Sequence, residues 1–513
     1  MKNESRVKKT MLNAKMNLIC HFVSFITAFF TREILLDQLG TEFMGLTSTV
    51  GSLLSFLNIA ELGIGTAISY VIYKPIANGD KFKINEVISV LGYLYRKIGY
   101  AIFAGGVILS FFLPLIFHGT TIPLGVIFFG FYAYLAASLI GYFANYRSAL
   151  LSADQRNYIV TGYFQITTTS KVILQMVLAI YTGSFYVYFI VELLSGIINA
   201  SILNWKINEA YPWLKSEIKL GKQVLKKYPE IIKYIKQIFA HRVGGVVQSQ
   251  LTPFLIYTFV SLPVVALYTN YTLLTQKIES LISATINSTG AAVGNLIAEG
   301  NKQNTLKVFR ELLALRMFIA SIVTACIYTF VSPFIGVWLG EEYILGNTTI
   351  ALIAILSGLS ITRGVLDQFI HGSGIFADIW APYAESLIMV AFAIAGGYFF
   401  GLPGVLCGPL VSIIAIIYIW KPYYLFSRGF KLSVLKYWKL FVANVLATAI
   451  SFAVTSYIYN TFVKSNISID NWLSLIANGT IYIVMIIAIM SLTYYCLSIG
   501  FRDFLHRCKL FKR

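Results

Sequence analysis

Only 12% of this 513-residue chain is charged, so the few ionisable side chains set inside apolar stretches stand out. Lys171 lies in QITTTSKVILQM, with Gln165, Thr168 and Gln175 at helical spacing from it. Residues three and four apart share one face of a helix, so this segment presents a polar stripe centred on an ammonium. Glu61 sits in NIAELGIGTAISY, two residues before Gly63 and four before Gly65, and Glu192 interrupts YFIVELLSGII. Arg316, Arg363, Asp367 and Glu385 interrupt later apolar runs, Arg363 and Asp367 one helical turn apart. An ionised group within a hydrocarbon layer costs roughly 3 kcal/mol unless it is paired, wetted or turned towards protein. Lys171, Glu61, Glu192, Arg316, Arg363, Asp367, Glu385, Gln165 and Gln175 are the candidates to line a polar cavity.

Each has a second, structural reading. Lys171 either meets an anionic ligand or forms an ion pair with Glu61 or Glu192. Arg363 and Asp367 either neutralise one another along their helix or face a cavity. Arg316 either binds or snorkels to the cytoplasmic surface. The glycines after Glu61 also suit a tight helix contact, and Pro253 and Pro263 read as bend points or as static kinks. Tyr142 and Tyr257 offer ring faces on which sugars stack.

Metalloprotease, Walker and serine-hydrolase signatures are absent from the sequence, so no catalytic residue, metal or cofactor is expected and no self-contained ATP-driven pump is read. The five cysteines, Cys20, Cys326, Cys407, Cys496 and Cys508, are widely spaced and read as small packed hydrophobes. What remains is transport, driven by a H+ or Na+ gradient or by the substrate's own concentration difference.

The elements that position these residues follow from composition. With 57% hydrophobic residues and far fewer charges than the ~25% of soluble domains, the chain is not a soluble enzyme. Apolar runs long enough for a ~30 Å hydrocarbon layer recur throughout, without the alternation of a barrel strand. The expected fold is an all-α polytopic membrane protein of about fourteen transmembrane helices, near 12–36, 44–72, 95–117, 122–145, 157–181, 184–206, 238–260, 267–298, 312–332, 348–370, 379–398, 403–420, 440–461 and 472–497. The first run is too long for a signal-peptide core and reads as a retained helix. The long basic stretch 207–237 separates an N-terminal six-helix lobe, 1–206, from a pseudo-symmetric one, 238–421, with two further helices and a basic tail in 422–513. ANGDKFKINEV after the second helix and AEGNKQNTLKVF after the eighth support duplication, as do GIGTAISY and STGAAVGN ahead of them.

The net charge of +18 is distributed by topology. Lys2, Arg6, Lys8 and Lys9, then Lys74, Lys81 and Lys83, then the 207–237 stretch and the tail residues Arg502, Arg507, Lys509, Lys512 and Arg513 fall on one side. Glu33, Asp37, Glu42, Glu341 and Glu342 fall on the other. Both termini are therefore expected in the cytoplasm. The basic loops suit anionic membrane lipids, not nucleic acid.

Two stretches carry a family resemblance: GTEFMGLTSTVGSLLSFLNIAELGIGTAISYVIYKPIANGD (40–80) and YRSALLSADQRNYIV (146–160). Through Glu61, Leu62 and Gly63, and through Leu150, Ala153 and Gln155, the sequence resembles the polysaccharide transporters of the multidrug/oligosaccharidyl-lipid/polysaccharide exporter superfamily, the group that includes O-antigen and capsule repeat-unit flippases. The likeness covers the N-terminal lobe well and the C-terminal lobe loosely. It implies an inverted-V bundle in a bacterial cytoplasmic (inner) membrane, moving an undecaprenyl-diphosphate-linked oligosaccharide from the cytoplasmic to the outer leaflet. It also implies a cationic central cavity suited to a diphosphate, with Lys171 as its contact, a monomeric transport unit, and a polysaccharide polymerase and other assembly proteins as partners. The mixed charges leave Glu61 to ion coupling or to lobe packing. The competing readings are a cation-coupled exporter of drugs or small metabolites, a non-transporting assembly partner of a glycan-synthesis complex, and a membrane enzyme acting on the lipid-linked glycan.

Overall fold

The computed structural model describes residues 6–510 apart from Leu62, 288–292, 295, 298, 376–377 and 465–468. Lys2, Lys512, Arg513, Leu62 and most of STGAAVGN, all named above, lie outside the described residues. Among the described residues the regular structure is helical throughout and contains no strand. Nine helices among them are long and apolar enough to cross a membrane; the one broken at Gly40 takes in the expected span 12–36 and the start of 44–72, and the one broken at Gly401 takes in 379–398 and 403–420. The chain is a multi-pass membrane protein.

The chain divides into two compact units, 1–266 and 267–513. The first contains α1 (Arg6–Leu57), α2 (Ile64–Ala77), α3 (Lys81–Ser110), α4 (Leu124–Ala144), α5 (Asn157–Thr182), α6 (Phe185–Ala210) and α7 (Pro229–Phe259). Its apolar core joins Ile64, Ile68 and Ile72 of α2 to Val87, Ile88 and Leu91 of α3, each set recurring at helical spacing. Close approaches are made by glycine: a Cβ on Gly130 of α4 would stand 2.4 Å from the Phe189 ring of α6.

The basic stretch 207–237, read above as a linker between lobes, packs onto the start of α3. Lys215 N and Glu217 N donate to Asn85 Oδ1 and Ser89 Oγ, both at 2.8 Å. Glu86 accepts from Lys227 at 2.5 Å and from Tyr228 at 2.9 Å. Burial, then the Glu86 carboxylate, push the Tyr228 phenol up to about 12. Val224 and Ile231 enter the core of the first unit, and the division between units falls after this stretch.

The two similar turns noted in the sequence are built alike. Gly79 and Gly300 take φ of 67° and 73°, and Asp80 and Asn301 then cap α3 and α9 (Lys302–Leu339) by accepting from Lys83 N and Asn304 N, both at 3.0 Å. This pairing is the usual economy of a left-handed glycine followed by an N-cap. The Lys83 amide holds the Asp80 carboxyl below its ordinary range.

The second unit contains most of α8 (Leu262–Asn287), then α9, α10 (Asn347–Gly372), α11 (Trp380–Ser412), α12 (Leu435–Tyr459), α13 (Trp472–Leu497) and α14 (Ile499–Leu510). Gly401, at φ 60° and ψ −133°, folds α11 back on itself. The two arms touch backbone to backbone, since a Cβ on Gly404 would lie 1.8 Å from Gly396 O. Beyond α11 the chain runs through π-helical turns at Ile413–Trp420 and Leu425–Phe430, a wider winding often found at functional sites.

Candidate functional site

The sequence around Glu61 does not continue as one helix. The expected span 44–72 is interrupted: Asn58–Glu61 is a single 3-10 turn, and Gly63 at φ 95° starts α2 afresh. Only glycine takes that conformation cheaply, and a Cβ there would also lie 2.9 Å from Ile238 Cβ of α7. The tight-contact reading of ELGIG therefore holds at Gly63. The break leaves Glu61 facing inward, where Tyr95 OH donates to Oε1 at 2.7 Å and Tyr142 OH to Oε2 at 2.8 Å.

On α5 and α6, Lys171 Nζ lies 2.9 Å from Glu192 Oε1. Gln175 Nε2 donates to Glu192 Oε2 and to Tyr188 O, both at 3.2 Å. Of the two acids that stood as partners for Lys171, the structure selects Glu192, while Glu61 takes the two phenols. One turn before Lys171, Thr167 Oγ1 reaches Asn199 Oδ1 at 3.2 Å. Gln165 instead bonds Thr169 within α5 at 2.9 Å.

Asn58, Glu61, Tyr142, Lys171, Glu192 and Asn199 wall a single cavity of about 720 Å³ inside the first unit. That volume is in the usual range for a small-molecule site, but the walls are unusually polar. Two carboxylates face one ammonium, so the charged groups of this wall leave an excess of negative charge. A diphosphate gains less from Lys171 here than the resemblance implies, because Glu192 already occupies it and Glu61 repels it. Hydroxyls, amides and phenols make up most of the rest, with Phe164, Ala137 and two glycines among them, a surface that both donates and accepts hydrogen bonds.

The remaining candidates meet in the second unit. Arg363 Nη1 lies 3.3 Å from Glu385 Oε1 and its Nε 3.5 Å from Asp367 Oδ2. Lys421 Nζ donates to Asp367 Oδ1. Arg316 is only 2% exposed, so it does not snorkel. Its Nη1 fills the space a Cβ on Gly364 would take, 2.0 Å from that position, which brings it beside Arg363. The i,i+4 pair is thus one part of a larger, partly buried ionic cluster.

Several participants escaped sequence reasoning, among them Tyr95, Asn199 and Lys421. Tyr95 lies in LGYLYRKIGY, one of many tyrosines, and nothing local marks it as a partner of Glu61. Asn199 sits in an apolar run as a single amide. Lys421 follows Trp420 at an apparent membrane edge and reads as a boundary residue. An amide or phenol at helical spacing within an otherwise apolar span was the available signal.

No protein-family model and no curated protein matches the sequence. Solved structures do match its fold. An inward-facing multidrug resistance MATE family transporter of the MOP superfamily superposes with a TM-score of 0.61 at 16% identity, covering 78% of this chain and 95% of that one. The lipid II flippase MurJ in an inward closed conformation superposes with a TM-score of 0.66 at 14% identity, covering 93% of this chain and 98% of that one. An outward-facing MATE family transporter gives 0.53 at 15% identity, over 82% and 96%. The fold is that of the MOP-superfamily transporters.

Proposed function

We propose that the protein is a flippase for a lipid-linked oligosaccharide, moving an undecaprenyl-diphosphate-linked repeat unit from the cytoplasmic to the outer leaflet of a bacterial inner membrane for O-antigen, capsule or related surface polysaccharide synthesis. The observation that carries the reading is the cavity of about 720 Å³ within a membrane-spanning unit. Its hydroxyl, amide and phenol walls complement a glycan, which needs many donors and acceptors at once. Lys171, fixed by Glu192, keeps further N–H donors for sugar hydroxyls, since an ammonium has three. The extent of the fold match supports the same reading. The lipid II flippase covers 93% of this chain against 78% for the inward-facing exporter, and a match of that length takes in part of the α12–α13 pair. In this reading both termini are cytoplasmic, the basic loops rest on anionic lipids, and the transport unit is a monomer that hands its cargo to polymerase and assembly proteins.

A second reading is favoured by a specific feature. Glu61 and Glu192 leave the cavity wall with excess negative charge, which attracts a cation, as in an exporter coupled to H+ or Na+. Reconstituted liposomes separate the two. The flippase reading expects an undecaprenyl-diphosphate-linked oligosaccharide to reach the opposite leaflet at a rate that depends on the protein, with no efflux of cationic dyes under a H+ or Na+ gradient. Dye efflux without lipid movement would establish the exporter instead.

A further inference from the structure

Helix α2 has two distinct faces. Ile64, Ile68 and Ile72 enter the core, and the neighbouring stripe of Gly65, Ser69 and Tyr73, one residue further round at the same spacing, walls a second cavity of about 480 Å³. Tyr95 of α3 and Tyr146, Ser148 and Ser152 around the short helix Ser148–Ala153 complete it. Tyr95 and Ser148 also wall the first cavity, so the two adjoin. Glu61 holds the dividing phenol in place, through the 2.7 Å bond from Tyr95 OH.

The described lining of this second cavity contains phenols, serines and small residues, and none of them is charged. Several hydroxyl protons are committed within the protein. Ser69 Oγ donates to Gly65 O at 2.9 Å, and Ser152 Oγ to Asn157 Oδ1 at 2.8 Å. Their oxygens therefore offer lone pairs to the cavity and ask for donors. A phosphate or carboxylate brings only acceptors, whereas a sugar brings hydroxyl donors on a ring whose C–H face suits an aromatic side chain. Tyr73, half exposed at 49%, presents such a ring at the edge of the cavity.

Resting on the flippase reading, we propose that the second cavity is a subsite for an uncharged sugar, and that the two cavities together hold at least two consecutive sugars of the cargo on either side of Tyr95. The protein then reads glycan length. A carrier with one sugar fills the first cavity and forfeits the contacts of the second.

The test measures binding of two probes to the purified full-length protein in nanodiscs: undecaprenyl diphosphate bearing one neutral hexose, and the same carrier bearing a neutral trisaccharide. Wild type is expected to bind the trisaccharide probe about tenfold more tightly, the yield of one or two net hydrogen bonds. The double variant Ser69→Ala with Tyr73→Leu is expected to lose that preference, leaving affinity for the single-hexose probe and the thermal midpoint unchanged. Tyr73→Phe, which keeps the ring, is expected to retain most of it. Equal affinity of wild type for both probes overturns the two-subsite proposal while leaving the flippase reading intact, as does a double variant that keeps the preference or loses both probes together. If wild type binds neither probe, the flippase reading itself falls and this proposal with it.

Discussion

Lys171 Nζ lies 2.9 Å from Glu192 Oε1, and Gln175 Nε2 braces the other carboxylate oxygen at 3.2 Å. The ammonium in the middle of α5 is therefore one half of a held pair on the wall of a cavity. Structural and binding roles coexist in it, and a single substitution disturbs both.

Lys171→Met strands the Glu192 carboxylate in a mostly buried place. It is expected to cost about 2–3 kcal/mol, below the range for a fully buried pair because the two side chains keep 18% and 14% exposure. Adding Glu192→Leu removes the stranded charge and is expected to restore the thermal midpoint. Flipping in liposomes is expected to stay severalfold low in that double variant and to be largely kept in Lys171→Arg. Full flipping by the double variant would reduce the pair to a purely structural one.

Gly63 and Gly65 look interchangeable in ELGIG, yet the structure separates them. Gly63→Ala meets both a φ of 95° and the Ile238 side chain at 2.9 Å, and is expected to lose about 2 kcal/mol or more. Gly65→Ala meets only Tyr95 OH, at 3.5 Å, an ordinary contact. Its thermal midpoint is expected near wild type, with any defect confined to transport because the new methyl enters the cavity wall. Equal loss of stability in both variants would contradict this assignment of roles.

The contrast between those glycines shows what sequence reasoning reaches. Length and apolarity place nearly every helix, because a bilayer demands about twenty apolar residues whatever they pack against. An ionisable residue in such a run marks itself by its cost, so Lys171, Glu192 and Glu61 were legible as members of a polar wall. Partner choice was not. Whether Lys171 meets Glu61 or Glu192 depends on the turn at Gly63, which redirects Glu61 towards Tyr95 and Tyr142, and on helix rotations that no local pattern encodes. Lys421 shows the same limit, since π-helical winding before it shifts the face on which it emerges and brings it to Asp367.

The charge distribution fixes an expected orientation that a chemical label can check. In a cysteine-free background, with Cys20, Cys326, Cys407, Cys496 and Cys508 replaced, Lys226→Cys lies in the basic stretch and Glu341→Cys in the acidic loop; both positions are exposed. A membrane-impermeant maleimide applied to intact cells is expected to label position 341 and to spare 226 until the membrane is opened. Labelling of 226 in intact cells would reverse the topology.

Gln155, one of the residues that carry the family resemblance, sits in the left-handed region at φ 60°. Its neighbourhood shows why the backbone is held there. Asn13 of α1 clasps the turn from both sides: its Nδ2 donates to Gln155 O at 2.9 Å, and its Oδ1 accepts from Tyr158 N at 2.6 Å. For a residue with a Cβ that conformation costs about 1–2 kcal/mol, partly offset in a glycine variant by the greater freedom of the unfolded chain. Gln155→Gly is thus expected to leave the thermal midpoint equal or raised by a few degrees, while Asn13→Ala, which frees the turn, is expected to lower it. The pair of results also assigns the side chain. If Gln155→Gly folds as well as wild type and flips normally, the turn's backbone is what the resemblance preserves. If it folds as well but fails to flip, the glutamine amide itself acts in transport. A marked loss of stability in Gln155→Gly would show that the left-handed turn is not where the strain lies, and would remove the clasp by Asn13 as its explanation.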